Sequence, residues 1–509
     1  TLNLGLRWEY GSPYSEQNRY VSNFDPSTQT VLTTAPGAVA GNGITPVSAS
    51  GVYGNTLVHP DLNDFGPRVG FAYAAGPNTA IRGGFGVSFV HYTRAGSGDI
   101  LAINAPQAQF ASVTQPTPSA ANHCASPLPA QIIAPGSTTP SCYATIDQGY
   151  PAGLVTTFNP ATDNITWIPA DTRDSYVESY YLDIQQQLRK NILFDLAYVG
   201  NHSLKLQGFL NGNQRNPSAA FARPYGNWPS DITEALNEFY GNYNALQARY
   251  EQRMVGGLTL LNSFTWQRSL DNASASLEGN TPSPQDANNL RADYAQSDYN
   301  LPVSNVTTLI YDLPFGRGRA FMNHPGGFVQ NALGGWQVSL VNTSQSGTPF
   351  NIVYGPSSAN QVSRQIAATY RGANEYRPNR VAGVPLTLGR TRQLPNTGYF
   401  QFINPAALTL PATGTATAPL SPFGNLGRNP ARTTAFNETD LDFNKRFTLP
   451  VERLQLEFRG ELYNLFNHTN LYLPSGTVSG TLGGAVTSGG QVSSTFQPRI
   501  VQFALKLIY

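Results

Sequence analysis

Twelve stretches of the chain alternate apolar and polar residues with period two, and the links joining them alternate between short and long. The strands this pattern predicts are 2–10, 66–74, 79–92, 177–189, 192–200, 243–254, 257–268, 303–313, 334–345, 436–447, 453–466 and 498–509. Successive side chains of a strand point to opposite faces, so each stretch carries one oily and one polar face. In 453–466, Leu454, Leu456, Phe458, Leu462 and Phe466 oppose Arg453, Gln455, Glu457, Arg459 and Glu461. At the start, Leu2, Leu4, Leu6, Trp8 and Tyr10 oppose Asn3, Arg7 and Glu9. In 177–189, Tyr180, Leu182, Ile184 and Leu188 oppose Asp183, Gln185, Gln187 and Arg189; in 257–268, Leu258, Leu260, Phe264 and Trp266 oppose Thr259, Ser263, Thr265 and Gln267. A half-buried soluble strand alternates in the same way, so the links decide. Those at 75–78, 190–191, 255–256 and 448–452 are turns of a few residues, with 314–333 a longer member of the set. Those at 11–65, 93–176, 201–242, 269–302, 346–435 and 467–497 run from about thirty to about ninety residues.

Soluble sandwiches have no reason to gather every long link at one end. Outer-membrane barrels do, with short turns on one side and long loops on the other. Segments of about ten residues also suit a tilted strand crossing a bilayer. The expected fold is therefore all-β, a transmembrane antiparallel up-and-down barrel of the outer-membrane type. The last eleven residues, RIVQFALKLIY, place Val501, Phe503, Leu505, Leu507 and Tyr509 on one face and stop on the aromatic ring. Chain ends usually fray, so this predicts a barrel-closing strand.

Composition adds limits. The chain has 509 residues, 40% hydrophobic and only 12% charged, with 48 glycines, 38 prolines, 26 tyrosines, 26 phenylalanines and 5 tryptophans. Abundant rings fit a barrel whose two membrane interfaces are lined with aromatics. A net charge of +1 gives no electrostatic case for nucleic acid. No run of 18 apolar residues is present, which excludes a helical span. A predicted strand begins at residue 2 with no basic and apolar leader before it, so a mature chain or a fragment is expected.

Candidate chemistry is sparse, and neither a cofactor nor a catalytic set is expected. Arg82-Gly83-Gly84-Phe85-Gly86 and Phe315-Gly316-Arg317-Gly318-Arg319 look superficially like phosphate loops, yet neither opens a helix. The six histidines (His59, His91, His123, His202, His324 and His468) show no metal-binding spacing. A rim-active enzyme would need His91 or a loop histidine close to a carboxylate. Asp286, Asp293 and Asp298 occupy an oxygen-rich link without calcium-loop spacing and are expected to be solvated. Cys124 and Cys142 are a candidate disulfide in the 93–176 link, the alternative being two free thiols, and non-reducing mass spectrometry separates the two. The candidate polar interior is Asp440, Asp442, Asn444 and Arg446 on one strand, with Arg453, Glu457, Arg459 and Glu461 on the next.

Several segments resemble the C-terminal part of TonB-dependent transporters of the Oar-like group. They are FGPRVGFAY (65–73), AIRGGFGVSF (80–89), SYYLDIQQQL (179–188), YNALQARYEQR (243–253), LPFGRGRAF (313–321), LGGWQVSLVNTSQSGTPF (333–350), FGNLGRNPAR (423–432), LDFNKRF (441–447) and FRGELYNLFNHTN (458–470). Twelve strands, an even count, could close into a small barrel on geometry alone; the resemblance implies instead a barrel of about twenty-two strands, of which about twelve are here, filled by an N-terminal plug and often preceded by a carboxypeptidase-regulatory-like domain. It implies uptake of an unidentified solute, energised by the TonB complex through that plug, in the outer membrane of a diderm bacterium. It further implies contact with outer-membrane lipid, and it makes Phe503, Leu505, Leu507 and Tyr509 the signal for the barrel-assembly machinery. Long links then face outward, with Trp8, Tyr10, Tyr92 and Trp266 near the outer interface and Phe447 and Tyr509 near the inner one. The alternative is a structural or adhesive surface protein displaying links 93–176 and 346–435.

Overall fold

A computed structural model describes the chain except residues 51–53, 92–99, 109–156, 162, 164, 275–283, 356–375, 389–393, 395–397, 413–419 and 450–453. All twelve predicted strands form. They are β1 (Leu2–Trp8), β2 (Phe65–Gly76), β3 (Thr79–Val90), β4 (Ser175–Arg189), β5 (Ile192–Asn211), β6 (Ile232–Val255), β7 (Leu258–Asp271), β8 (Val303–Asp312), β9 (Trp336–Gln345), β10 (Phe436–Thr448), β11 (Gln455–Tyr463) and β12 (Ile500–Ile508). Each pairs antiparallel with its neighbours in chain order, giving one continuous up-and-down sheet. Among the described residues β1 and β12 are its two edges and do not pair with each other.

The register keeps the faces continuous. Leu4 lies opposite Val69, Val69 opposite Phe85, Leu182 opposite Tyr198, Leu246 opposite Trp266, and Phe458 opposite Leu505. Two glycines in the AIRGGFGVSF segment serve this packing. A Cβ on Gly83 would lie 2.4 Å from the ring of Phe71 on the apolar face. A Cβ on Gly84 would lie 2.7 Å from the ring of Tyr181 on the polar face. Each aromatic ring thus covers the glycine directly opposite it on the neighbouring strand.

The apolar face also carries a hydrogen-bonded polar row that sequence alternation passes over. Asn262 donates to Asn305 at 2.9 Å and to Thr307 at 2.8 Å, and Asn342 donates to Thr439 at 2.8 Å. These groups satisfy one another, which is what a polar side chain away from water requires.

Two elements run longer than predicted. The 201–242 link is mostly strand, because β5 and β6 continue past Gly200 and begin before Tyr243. The β5–β6 register shifts between Leu236 and Phe239 and again between Phe239 and Gly241. Such bulges break the period of two, and link residues cover both faces here, so the alternation that marks the other strands is lost. At the other end of the polypeptide β11 stops at Tyr463, leaving Phe466 exposed beyond it. The 314–333 link contains a short helix, α1 (Gly327–Leu333). Lys445 donates to the carbonyl of Gln330 at 3.3 Å and Trp336 to that of Ala332 at 2.9 Å, tying the helix end to β9 and β10.

The four hydrophobic clusters among the described residues all lie in the long links and in the extensions of β5 and β6. One joins Val21, Leu32, Leu57, Ile168, Phe209 and Ala235, another Phe24, Ile165, Trp167, Trp228 and Ile232. A third gathers Ile352, Ile403, Leu408, Leu426, Val478 and Val492 from links 346–435 and 467–497, and a fourth Leu210, Leu236 and Phe239. The short-link half of the wall has no such cluster; its apolar face is bare, with Leu505 69% and Phe503 66% exposed. No described helix is long and apolar enough to cross a membrane, which says nothing of strands.

Candidate functional site

Three arrangements carry charge. The first is the polar face of β10–β12. Cross-strand pairing sets Asp442 against Glu461, Asn444 against Arg459 and Arg446 against Glu457. Arg446 Nε lies 2.8 Å from Glu457 Oε2, and Arg459 Nη2 lies 2.9 Å from Glu457 Oε1. Arg459 also reaches Glu461 at 3.5 Å and Asp442 at 3.8 Å, and Asn444 donates to Asp442 at 2.7 Å. Asp440 is set apart from this ladder, accepting from the backbone N–H of Asn464 at 2.9 Å. The structure therefore brings six of the eight predicted polar residues into one alternating network. Arg453, like Cys124, Cys142 and Tyr92, lies outside the described residues.

The second arrangement is the network that binds the long links together. Arg377 and Asp293 form an ion pair with side chains only 1% and 3% exposed. Arg377 Nε also donates to the carbonyl of Leu426 at 2.9 Å, and its backbone N–H to Gln285 at 2.7 Å. Burial pushes the Asp293 carboxyl up despite the opposing Arg377 guanidinium. Arg428 pairs with Asp271 and lies 3.4 Å from Asp298. The expectation of solvated carboxylates in 269–302 is thus corrected for Asp293, which an arginine about eighty residues away in sequence has drawn inside.

The third arrangement sits where β1–β4 meet the long links. His91, just past β3, directs Nδ1 to Asp174 Oδ2 at 2.6 Å and Nε2 to Glu9 Oε2 at 3.3 Å. Asp64 Oδ2 stands 3.5 Å from Nδ1. Asp61 accepts from Arg173 at 2.7 Å and from the backbone N–H of Asp174 at 3.2 Å. Burial, with the carboxylates of Asp174 and Asp61 beside it, pushes the Asp64 carboxyl up to about 7. Burial works to lower His91, but Asp174, Glu9 and Asp64 outweigh it and raise the imidazole. Asp61 is held low: burial opposes this, and the Arg173 hydrogen bond overcomes it. Of this group the sequence marks only His91, as a candidate acid–base residue, and Glu9, on the polar face of β1. The partners of His91 come from the end of β1 and from two separate links, 11–65 and 93–176, and no spacing announces them. The histidine-near-carboxylate condition for a rim enzyme is met, but both ring nitrogens face carboxylates, so no nucleophile is activated here.

Residues 1–502 match the model of the outer membrane beta barrel domain. The chain belongs to that family. As an outer membrane beta barrel domain it resides in the outer membrane of a diderm bacterium, crossing it with strands. No curated protein matches it. Among solved structures it is similar to the outer membrane transporter YddB from Escherichia coli, at 9% identity and TM-score 0.38, covering 87% of this chain and 40% of that one. It is also similar to the ferric-catecholate import receptor Fiu from K12 E. coli, at 10% identity and TM-score 0.36, covering 92% and 38%. The FrpB iron transporter from Neisseria meningitidis matches at 9% identity and TM-score 0.34, covering 85% and 38%. The barrel domain therefore spans about 40% of the length of these proteins.

Proposed function

We propose that this domain is the C-terminal wall of a TonB-dependent transporter of the Oar-like group, taking up a solute across the outer membrane. The observation that carries the reading is the division of the sheet: a bare apolar face, an ion-paired polar face, and long links folded into caps at one end only. In this reading Leu456, Phe458 and Phe503 meet lipid, the ladder from Asp442 to Glu461 faces a hydrated interior, and the caps face outward. Phe503, Leu505, Leu507 and Tyr509 are the strand presented to the barrel-assembly machinery. The unpaired edges of β1 and β12 cannot stay open in hydrocarbon, and the Oar-like resemblance supplies about ten further strands to close them and a plug within. Energy reaches that plug from TonB; the solute is not specified by any motif.

The test uses the full open reading frame containing this chain. Purified in detergent and titrated with the periplasmic domain of the host's TonB, the protein is expected to bind it. Absence of binding by a folded, heat-modifiable barrel would favour the display reading, in which the caps alone have a role.

A further inference from the structure

We propose that Asp64 Oδ2, His91 Nδ1 and Asp174 Oδ2 bind one divalent transition-metal ion of the zinc class at the junction of β1–β4 with the long links. The three donor atoms lie within 4.8 Å of one another. They are one imidazole nitrogen and two carboxylate oxygens, donors that zinc accepts in four-coordinate sites. The Asp64 side chain is 3% exposed, yet its Oδ2 has no hydrogen-bond partner, because Nδ1 of His91 spends its hydrogen on Asp174. A buried carboxylate oxygen without a donor is costly; a proton shared with Asp174 relieves the cost in the metal-free protein, and a cation between the three donors relieves it when bound.

The surroundings are those of a built site. Metal-bound histidine usually donates its second ring N–H to a carboxylate, which fixes the tautomer and the ring. Here Nε2 meets Glu9 Oε2 at 3.3 Å, and Glu9 is itself held by Arg7 at 2.8 Å. Asp174 is fixed through its backbone N–H by Asp61. Gly11 makes room for the ring, since a Cβ there would lie 2.5 Å from Cβ of His91. Metal–ligand bonds of about 2.0–2.1 Å set tetrahedral neighbours roughly 3.3 Å apart. The Asp64–His91 separation of 3.5 Å already matches, and the 2.6 Å contact to Asp174 opens once its shared proton leaves. A cavity of about 520 Å³ bordered by Asp61, Asp64, Arg173 and Asp174 lies against two of the three donors. Such an ion would clasp the ends of β2, β3 and β4 directly and that of β1 through Glu9.

The competing arrangement is a metal-free imidazolium held among carboxylates, and the test separates the two. The full-length protein containing this chain is stripped with EDTA in detergent micelles and titrated with ZnCl₂ by calorimetry and with CoCl₂ by visible absorption. Wild type and the control His202→Gln are expected to bind one equivalent more tightly than Asp64→Asn or His91→Gln, by about tenfold or more, with the intense bands of four-coordinate cobalt. Asp64→Asn mimics the protonated acid in shape, so a folding defect is not expected. Independently of any variant, zinc should protect His91 of the wild type from diethylpyrocarbonate, read by peptide mass spectrometry. Unprotected His91 with zinc in excess, or equal affinity in wild type and both variants, would overturn the proposal.

Discussion

Leu505→Arg is expected to destabilise the membrane-inserted chain by about 2–4 kcal/mol, the cost of an arginine on the lipid face at mid-bilayer. Leu505 lies in the middle of β12, opposite Phe458, and is 69% exposed. Its surroundings in the folded chain are other apolar side chains of the same face, including Phe503, whose ring stacks on that of Phe458 at 6.1 Å. Three residues away, Gln502 points to the opposite face and is bonded to Glu461. Gln502→Arg places the same charge beside a carboxylate in water and should change stability by no more than about 1 kcal/mol. Urea titration in liposomes, read as heat-modifiable migration, measures both. Equal penalties for the two variants would mean that the faces do not differ in solvent.

The second large effect is expected in the caps. Arg377→Ala removes one partner of a buried pair and should cost about 3–5 kcal/mol, because Asp293 and the Leu426 carbonyl lose their donor together. Asp293 then folds preferentially with its proton on, since burial already raises it against Arg377. A folded acid with a raised pKa binds more protons than its unfolded form, so the variant's caps should weaken as pH rises above the ordinary carboxylate range. The double variant Arg377→Met with Asp293→Leu leaves no charge buried and should recover much of the loss. Protease sensitivity of links 269–302 and 346–435 across pH reports this, with the wall strands as the internal standard. Resistance equal to wild type in Arg377→Ala would show that the pair does not hold the caps together.

The wall was legible in the sequence because its two faces meet different solvents, which writes the alternation into every strand from Leu2 to Leu507. The polar ladder was legible for the same reason: Asp442, Asn444 and Arg446 fall on the face opposite Leu441 and Phe443. Where both faces are covered by protein, as along Phe209 and Phe239, the alternation vanishes and the sequence has the look of a link. The caps were not legible at all. Their cores bring Ile352 to Val478 and Arg377 to Asp293 across distant links, and nothing local marks such contacts. The cluster around His91 is the extreme case, since Glu9, Asp64, His91 and Asp174 are brought together from four distant points of the sequence. Asn262 shows the reverse error, a polar residue on the oily face that is accepted because Asn305 and Thr307 satisfy it.

The division of the wall into a lipid face and a water face is tested most directly by scanning β12 with a spin label in a bilayer. Single cysteines at 501 to 508, in a background with Cys124 and Cys142 replaced by serine, are exposed in turn to oxygen and to a water-soluble nickel complex. Labels at 501, 503, 505 and 507 should respond to oxygen, and those at 502, 504 and 506 to nickel. A flat profile, or nickel reaching 503 and 505 as readily as 502 and 504, would contradict the account.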